Sequence, residues 1–297
     1  MKYRIVLYIQ AWEIDDLERI IRHLILSSYY IDSNDTVILD VTLNVSDVLI
    51  NWDSSSLNKD YFIDKFLYIK TLASQYYNVE FDMNVNIQGC VDKRRDANLK
   101  SHDFIIWLDP DVFFSVYTLP YLIHSTKQIT DVRYVLSPQI IKYWDSSWDC
   151  LTYHKFLHEP ANHRDYFDMY SLDDLVNSTE KQLVTNNQVK FAGGWFNLFT
   201  AQIFRDIEIP KEFGSYGWED LYVMICCNYL KIQQYIMQGV IVSEIGNTLL
   251  NNKNYHKPYI SINPMPYNKI SEKEFKLTVS KFIKVHNNEK NNFLYSE

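Results

Sequence analysis

Two aspartates, Asp109 and Asp111, flank Pro110 where an unbroken apolar run ends, in the stretch SHDFIIWLDPDVFF from Ser101 to Phe114. Side chains two residues apart on an extended backbone point the same way, about 6–7 Å apart along the chain. Pro110 stiffens the turn and lets the two carboxylates converge. Two hard oxygen ligands on one side suit Mg2+ or Mn2+, whose remaining ligands are commonly water and substrate phosphate. A cation held there would neutralise the charge that builds on a departing phosphate. An Asp pair also closes a strand in an ordinary turn, where Asp is a favoured residue.

A second acid pair, Glu219-Asp220, follows a Gly-aromatic turn in SYGWEDLYV and opens an amphipathic segment. A carboxylate at the mouth of a site can take a proton from a hydroxyl, and acids in a first helical turn are also favoured by the helix dipole. Gly193-Gly194 precede Trp195 in FAGGWFNLFTAQIF. Paired glycines let backbone approach a ligand closely and equally make a tight turn. Residues 140–190 are aromatic and His-rich, with Trp144, Trp148, Tyr153, His154, His158 and His163. Aromatic faces stack on sugar rings and also fill cores, so both readings stand for Trp144 and Trp148. No H-E-x-x-H pair occurs, which rejects a zinc protease site.

The elements that must position these residues alternate. YRIVLYIQ, TVILDVTLN, NVEFDMNVN and DFIIWL read as strands, and IDDLERIIRHLILSSYY and Tyr61 to Tyr77 as helices. DKRRDANLKS is a polar helix or loop, and the charged end from Ser271 to Asn291 is helical. Alternation predicts an α/β fold, a mostly parallel sheet flanked by helices. In such sheets ligands sit beyond the carboxyl ends of the strands, where Asp109 and Asp111 fall. The chain has 297 residues, 47% hydrophobic, with a net charge of −8. That charge makes it a poor generic binder of nucleic acid or anionic membrane. Cys90, Cys150, Cys226 and Cys227 lack metal-knuckle spacing, which points to a reducing, cytoplasmic setting. No apolar run spans a bilayer, and the start reads as a strand rather than a signal peptide.

In order and spacing, the strand with D-x-D, the Gly-Gly-aromatic turn and the Gly-aromatic-Glu-Asp helix start resemble nucleotide-sugar-dependent glycosyltransferases of the GT-A fold, of the inverting family 2 and family 7 types. The resemblance covers roughly Tyr3 to Val242. It implies a Rossmann-like GT-A domain over residues 1–250, with a nucleotide-sugar-binding half (1–139) and an acceptor-binding half (140–250). An irregular aromatic insert interrupts the domain, and a helical extension follows (251–297). It further implies Mn2+ or Mg2+ on Asp111 and Asp109, with His256 as a third ligand and Asp109 toward the ribose. Arg94, Arg95 and Asp96 would contact the donor nucleotide. Asp220 would be the catalytic base, and Glu219, Gly194, Trp195, Trp218, Trp144 and Trp148 would face the acceptor. The implied partners are a nucleoside-diphosphate sugar and a glycan or other hydroxyl acceptor. The short GSYGWED segment departs from the fuller Gly-Trp-Gly-Gly-Glu-Asp signature of family 7, which leaves sugar and acceptor open. A nucleotidyltransferase is the rival enzyme class, but the acidic, Gly-free IQAWEIDD after the first strand lacks its Gly-rich basic loop. A carbohydrate-binding module without chemistry is the third reading.

Overall fold

The computed structural model describes residues 1–45, 58–85, 89–141, 181–185, 194–214, 217–244 and 270–294. Strand β1 (Lys2–Gln10) runs through a 3-10 turn (Ala11–Glu13) into helix α1 (Ile14–Ser28). Then follow β2 (Thr36–Asn44), α2 (Lys59–Ala73), β3 (Asn78–Asn84), α3 (Cys90–Asn98) and β4 (Phe104–Leu108). Beyond them lie β5 (Val112–Phe114), α4 (Thr118–Thr126), β6 (Tyr134–Ile141), β7 (Gln182–Thr185), β8 (Phe196–Thr200) and α5 (Ile203–Asp206). Last come α6 (Glu219–Tyr229), β9 (Gln233–Glu244) and α7 (Glu272–Leu294).

Local sequence explains the helices. Ile14, Leu17, Ile20, Ile21 and Leu24 recur at helical spacing on α1 and are all buried. Asn58 caps α2, its side-chain oxygen accepting the Tyr61 N–H at 2.9 Å. Ser271 and Glu274 form a reciprocal cap on α7: the Glu274 carboxylate accepts the Ser271 N–H at 2.8 Å, and Ser271 Oγ accepts the Glu274 N–H at 3.3 Å.

The strands form one sheet in the order β3-β2-β1-β4-β8-β6-β9-β5, with β7 also on β9. The first four pair in parallel, as the alternation predicts. From β8 onward the sheet is mixed: β8 runs antiparallel to β4 and β6, and β5 and β7 run antiparallel to β9. The long β9 changes neighbours along its length. Its middle carries Gly239 at φ 82, a left-handed geometry that suits glycine, opposite a register shift between Pro138 and Gln139. Gln139 Oε1 accepts the Gly239 N–H at 2.8 Å. The last three residues of β9 then pair with β5, immediately after the Asp109–Asp111 turn.

Trp107, next to the last residue of β4, is fully buried and packs on Phe199, ring centroids 4.7 Å apart. A charged cluster lies inside the parallel half. Arg4 of β1 bonds Asp40 of β2 at 2.6 Å and Glu80 of β3 at 2.7 Å. Lys93 and Lys100, on and just after α3, also pair with the fully buried Asp40. Their attraction seats α3 against the sheet. The Lys93 ammonium is pulled down from its ordinary value by burial, and Asp40 opposes that shift. Cys226 and Cys227 are buried free thiols in α6. No helix among the described residues is long and apolar enough to cross a membrane.

Candidate functional site

Four sequence segments meet beyond the carboxyl ends of β1 and β4. At their centre is Arg94 of α3, which is buried. Its Nη2 donates to Asp109 Oδ1 at 2.5 Å and its Nη1 to Glu219 Oε1 at 2.5 Å. Nη2 also reaches the Gly194 carbonyl at 3.1 Å, and the guanidinium lies 4.8 Å from the Trp107 ring centroid. A β-carbon on Gly194 would overlap the Arg94 guanidinium, so the glycine makes room for this contact. Burial alone would pull Arg94 down; Asp109 and Glu219 outweigh it and hold the group above its ordinary value.

Asp109 is fixed by backbone as well: its N–H donates to the Trp195 carbonyl at 2.9 Å, joining β4 to the start of β8. Asp111 stands two residues on, in a crowd of acids. Burial and then Asp109 push its carboxyl up to about 7. Glu13, at the end of the turn after β1, is raised well above its ordinary value by burial, with Asp111, Asp16 and Asp109 adding to the shift. The partner cation is Arg19 of α1. Its Nη1 donates to the Val112 carbonyl at 3.0 Å and its Nη2 to the Pro110 carbonyl at 2.9 Å.

The turn into α6 is held in an unusual backbone. Gly217 at φ 80 and Trp218 at φ 74 are both left-handed, and the second is costly for a bulky residue. The Trp218 ring stacks on Phe275 of α7, centroids 4.8 Å apart, which braces this geometry. The turn delivers Glu219 into the interior at 2% exposure, with Oε2 buried and lacking a hydrogen-bond partner among the described residues. Asp220 follows, its Oδ1 accepting the Leu221 N–H at 2.6 Å. Burial, then Glu219, push Asp220 up to about 7; Arg94 opposes the shift and Asp109 adds to it.

The structure thus brings together Arg94, Asp109, Gly194, Glu219 and Asp220, with Asp111 beside Asp109. Arg95 bonds the Ile209 carbonyl at 2.9 Å, the Pro210 carbonyl at 3.0 Å and Asp92 at 2.8 Å, fastening α3 to the segment before α6. Asp96 is exposed on α3. Trp195 is buried and serves the turn through its carbonyl. Trp218 packs between the α6 turn and α7. Trp144, Trp148 and His256 lie outside the described residues. Sequence reasoning passed over Arg19 and Glu13. Their spacing within EIDDLER signals a helix and nothing about the turn they meet.

Among the described residues no group of three His, Cys, Asp or Glu converges as a metal cage. A two-carboxylate site completed by water and phosphate is nonetheless the usual arrangement for Mg2+ and Mn2+. Asp111 and Asp109 fit that donor chemistry, with Asp109 31% exposed and the pair crowded enough to raise Asp111.

No family model matches the sequence, and no curated protein matches it. Solved structures do. The chain superposes on GalNAc-T7, crystallised with UDP, GalNAc and Mn2+, at a TM-score of 0.50 and 12% identity, over 82% of this chain and 44% of that one. Staphylococcus aureus TarS residues 1–349 match at 0.49 and 14% identity, over 87% and 68%. The mannosyltransferase PcManGT from Pyrobaculum calidifontis, with GDP-Man and Mn2+, matches at 0.47 and 12%, over 86% and 58%. The chain therefore spans less than half the length of GalNAc-T7. At 12% identity the GalNAc-T7 match shows the fold alone: the GT-A α/β architecture expected from the sequence is the one observed.

Proposed function

We propose that this chain is a metal-dependent, inverting glycosyltransferase that moves a sugar from a nucleoside-diphosphate sugar to a hydroxyl acceptor, a glycan in the first instance. One observation carries the reading: Arg94 bonds Asp109 and Glu219 at once, so the two acid pairs that the sequence sets apart share a single site. GalNAc-T7, whose fold the chain shares, was crystallised with UDP, GalNAc and Mn2+, which supports this substrate class.

Asp109 and Asp111 would hold Mn2+ or Mg2+ over the donor diphosphate. The cation's contribution is to neutralise the charge of the leaving nucleoside diphosphate. Asp220, raised to about 7, has the proton affinity a general base needs near neutral pH. It takes the acceptor proton as the acceptor oxygen bonds to the anomeric carbon and the bond to the diphosphate breaks. Glu219 Oε2, buried and unpaired among the described residues, accepts a hydrogen bond from an acceptor hydroxyl. Arg94 orients Glu219 and Asp109 and would contact the donor nucleotide. His256 as a third ligand, and Trp144 and Trp148 as an acceptor platform, complete the proposal.

The test is incubation of the purified chain with a panel of nucleotide sugars and Mn2+, with and without acceptors. Release of sugar and nucleoside diphosphate, or transfer to an acceptor, supports the assignment. Pyrophosphate release in a parallel incubation with nucleoside triphosphates and sugar 1-phosphates would instead make the chain a nucleotidyltransferase. No turnover and no donor-dependent rise in melting temperature would leave a binding module without chemistry.

A further inference from the structure

We infer that Arg19 is a positioning residue that holds the Asp-Pro-Asp turn in the geometry Asp111 needs to bind a divalent cation, an inference that rests on the metal reading of the preceding subsection. The guanidinium of Arg19 reaches across from α1 and forks around the turn. One amino group bonds the carbonyl before Asp111 and the other the carbonyl after it, at 2.9 and 3.0 Å. Its plane sits over the Phe113 ring, 3.7 Å from guanidinium carbon to centroid. Asp16 holds the same amino group from behind, at 3.5 Å. Two carbonyls flanking one residue, gripped by one rigid planar group, leave that residue's backbone little freedom to rotate. A lysine cannot do this, because its ammonium is a point charge without the planar fork.

The arrangement separates two roles of opposite sign. As a charge alone, Arg19 would repel a dication bound at Asp111, and removing it would tighten the site. As a clamp it presents the carboxylate, and removing it weakens the site even though repulsion is relieved. Groups that orient metal ligands commonly change affinity about 10–100-fold when lost.

The experiment titrates Mn2+ alone into the full chain and follows the free-ion signal by electron paramagnetic resonance, with melting curves to establish folding. Arg19→Lys, which keeps the charge and loses the fork, should weaken Mn2+ binding about tenfold. Arg19→Met should weaken it too. If Arg19→Met does not fold, Phe113→Leu takes its place; it removes the ring beneath the guanidinium, keeps the charge and should give a several-fold loss. Asp111→Ala is the control and should abolish binding. Arg19→Lys equal to wild type, or Arg19→Met tighter than wild type, overturns the clamp while leaving the metal site standing. Asp111→Ala that binds as well as wild type, or wild type that binds no Mn2+, overturns the metal reading, and the clamp's purpose with it.

Discussion

At the scale of single residues, the site depends on which proton each acid carries and which cation it faces. Asp220→Asn keeps the shape of the side chain but cannot take a proton. We expect turnover to fall by roughly 10²–10⁴ with Mn2+ binding nearly intact; near-normal turnover would reduce Asp220 to a helix-dipole residue. Glu219→Gln should act more on acceptor KM than on kcat. Arg94 has a second, structural consequence. Arg94→Met leaves Glu219 buried without its cation, and breaking such a pair costs about 3–5 kcal/mol. Urea melts should show that loss and show part of it recovered in the Arg94→Met/Glu219→Gln double variant; equal stability of both single and double variants would argue against a coupled pair. Much at this scale was legible. Asp109, Asp111, Glu219 and Asp220 announce themselves because acids stand directly after a buried run or at a helix start. The partners of Arg94 were not legible, since nothing local to KRRDAN says that one guanidinium faces two acids 15 and 125 residues further on. Arg19 was hidden more fully, because an arginine three residues from an aspartate on a helix reads as a surface ion pair.

At the scale of elements, the α6 turn owes its shape to α7. Phe275 lies in the main core, stacks on Trp218 and meets Phe213 edge-on at 6.0 Å. Phe275→Ala should cost about 3–5 kcal/mol, as large buried aromatics do. It should also slow turnover, because Trp218 then loses the ring that holds it left-handed. A variant destabilised to that extent with unchanged kcat at low temperature would show that α7 braces the fold and not the site. The long periodic elements were legible, and α1 buries the apolar residues its spacing singled out. Two were not. Three of the five buried residues of α3 are Lys93, Arg94 and Arg95, and only Val91 and Ala97 are apolar, so hydrophobic periodicity barely registers it. The three residues of β5 are too few to show alternation, and their strand character comes from β9.

At the scale of the whole molecule, buried charge sets the response to acid. His102 is lowered from an ordinary 6.5 to about 4, first by burial and then by Arg4. Between those values the unfolded chain binds a proton that the folded chain refuses, so stability falls as pH drops from 6.5 toward 4. Glu80 is lowered from an ordinary 4.5 to about 2, chiefly by its hydrogen bond from Arg4. Its contribution is complete above 4.5 and is lost as pH falls toward 2. Asp111 and Asp220, raised to about 7, act in the opposite sense and add stability as pH falls from 7 toward the ordinary carboxylate range, so the His102 contribution is read as the difference between variant and wild-type urea midpoints at about pH 7.5 and 5. His102→Asn should gain on the wild type as pH drops from about 7.5 to 5; a variant whose midpoint merely tracks the wild type's over that interval would show that His102 does not carry the difference. The parallel half of the sheet was legible from strand–helix alternation. The mixed half was not, because its order depends on β9 pairing with β6 along one edge and with β7 and then β5 along the other. That long strand carries a consequence for assembly in time. The acid turn sits between β4, which finds β1 early in the chain, and β5, whose partner is the last synthesised of the described strands. A chain emerging from the ribosome can complete its parallel half while the segment that closes the turn is still unmade. Pairing over so wide a separation is entropically slow. The acids at 109 and 111 are thus among the last parts of the sheet to be locked, and a growing chain holds a finished scaffold before it holds a competent site.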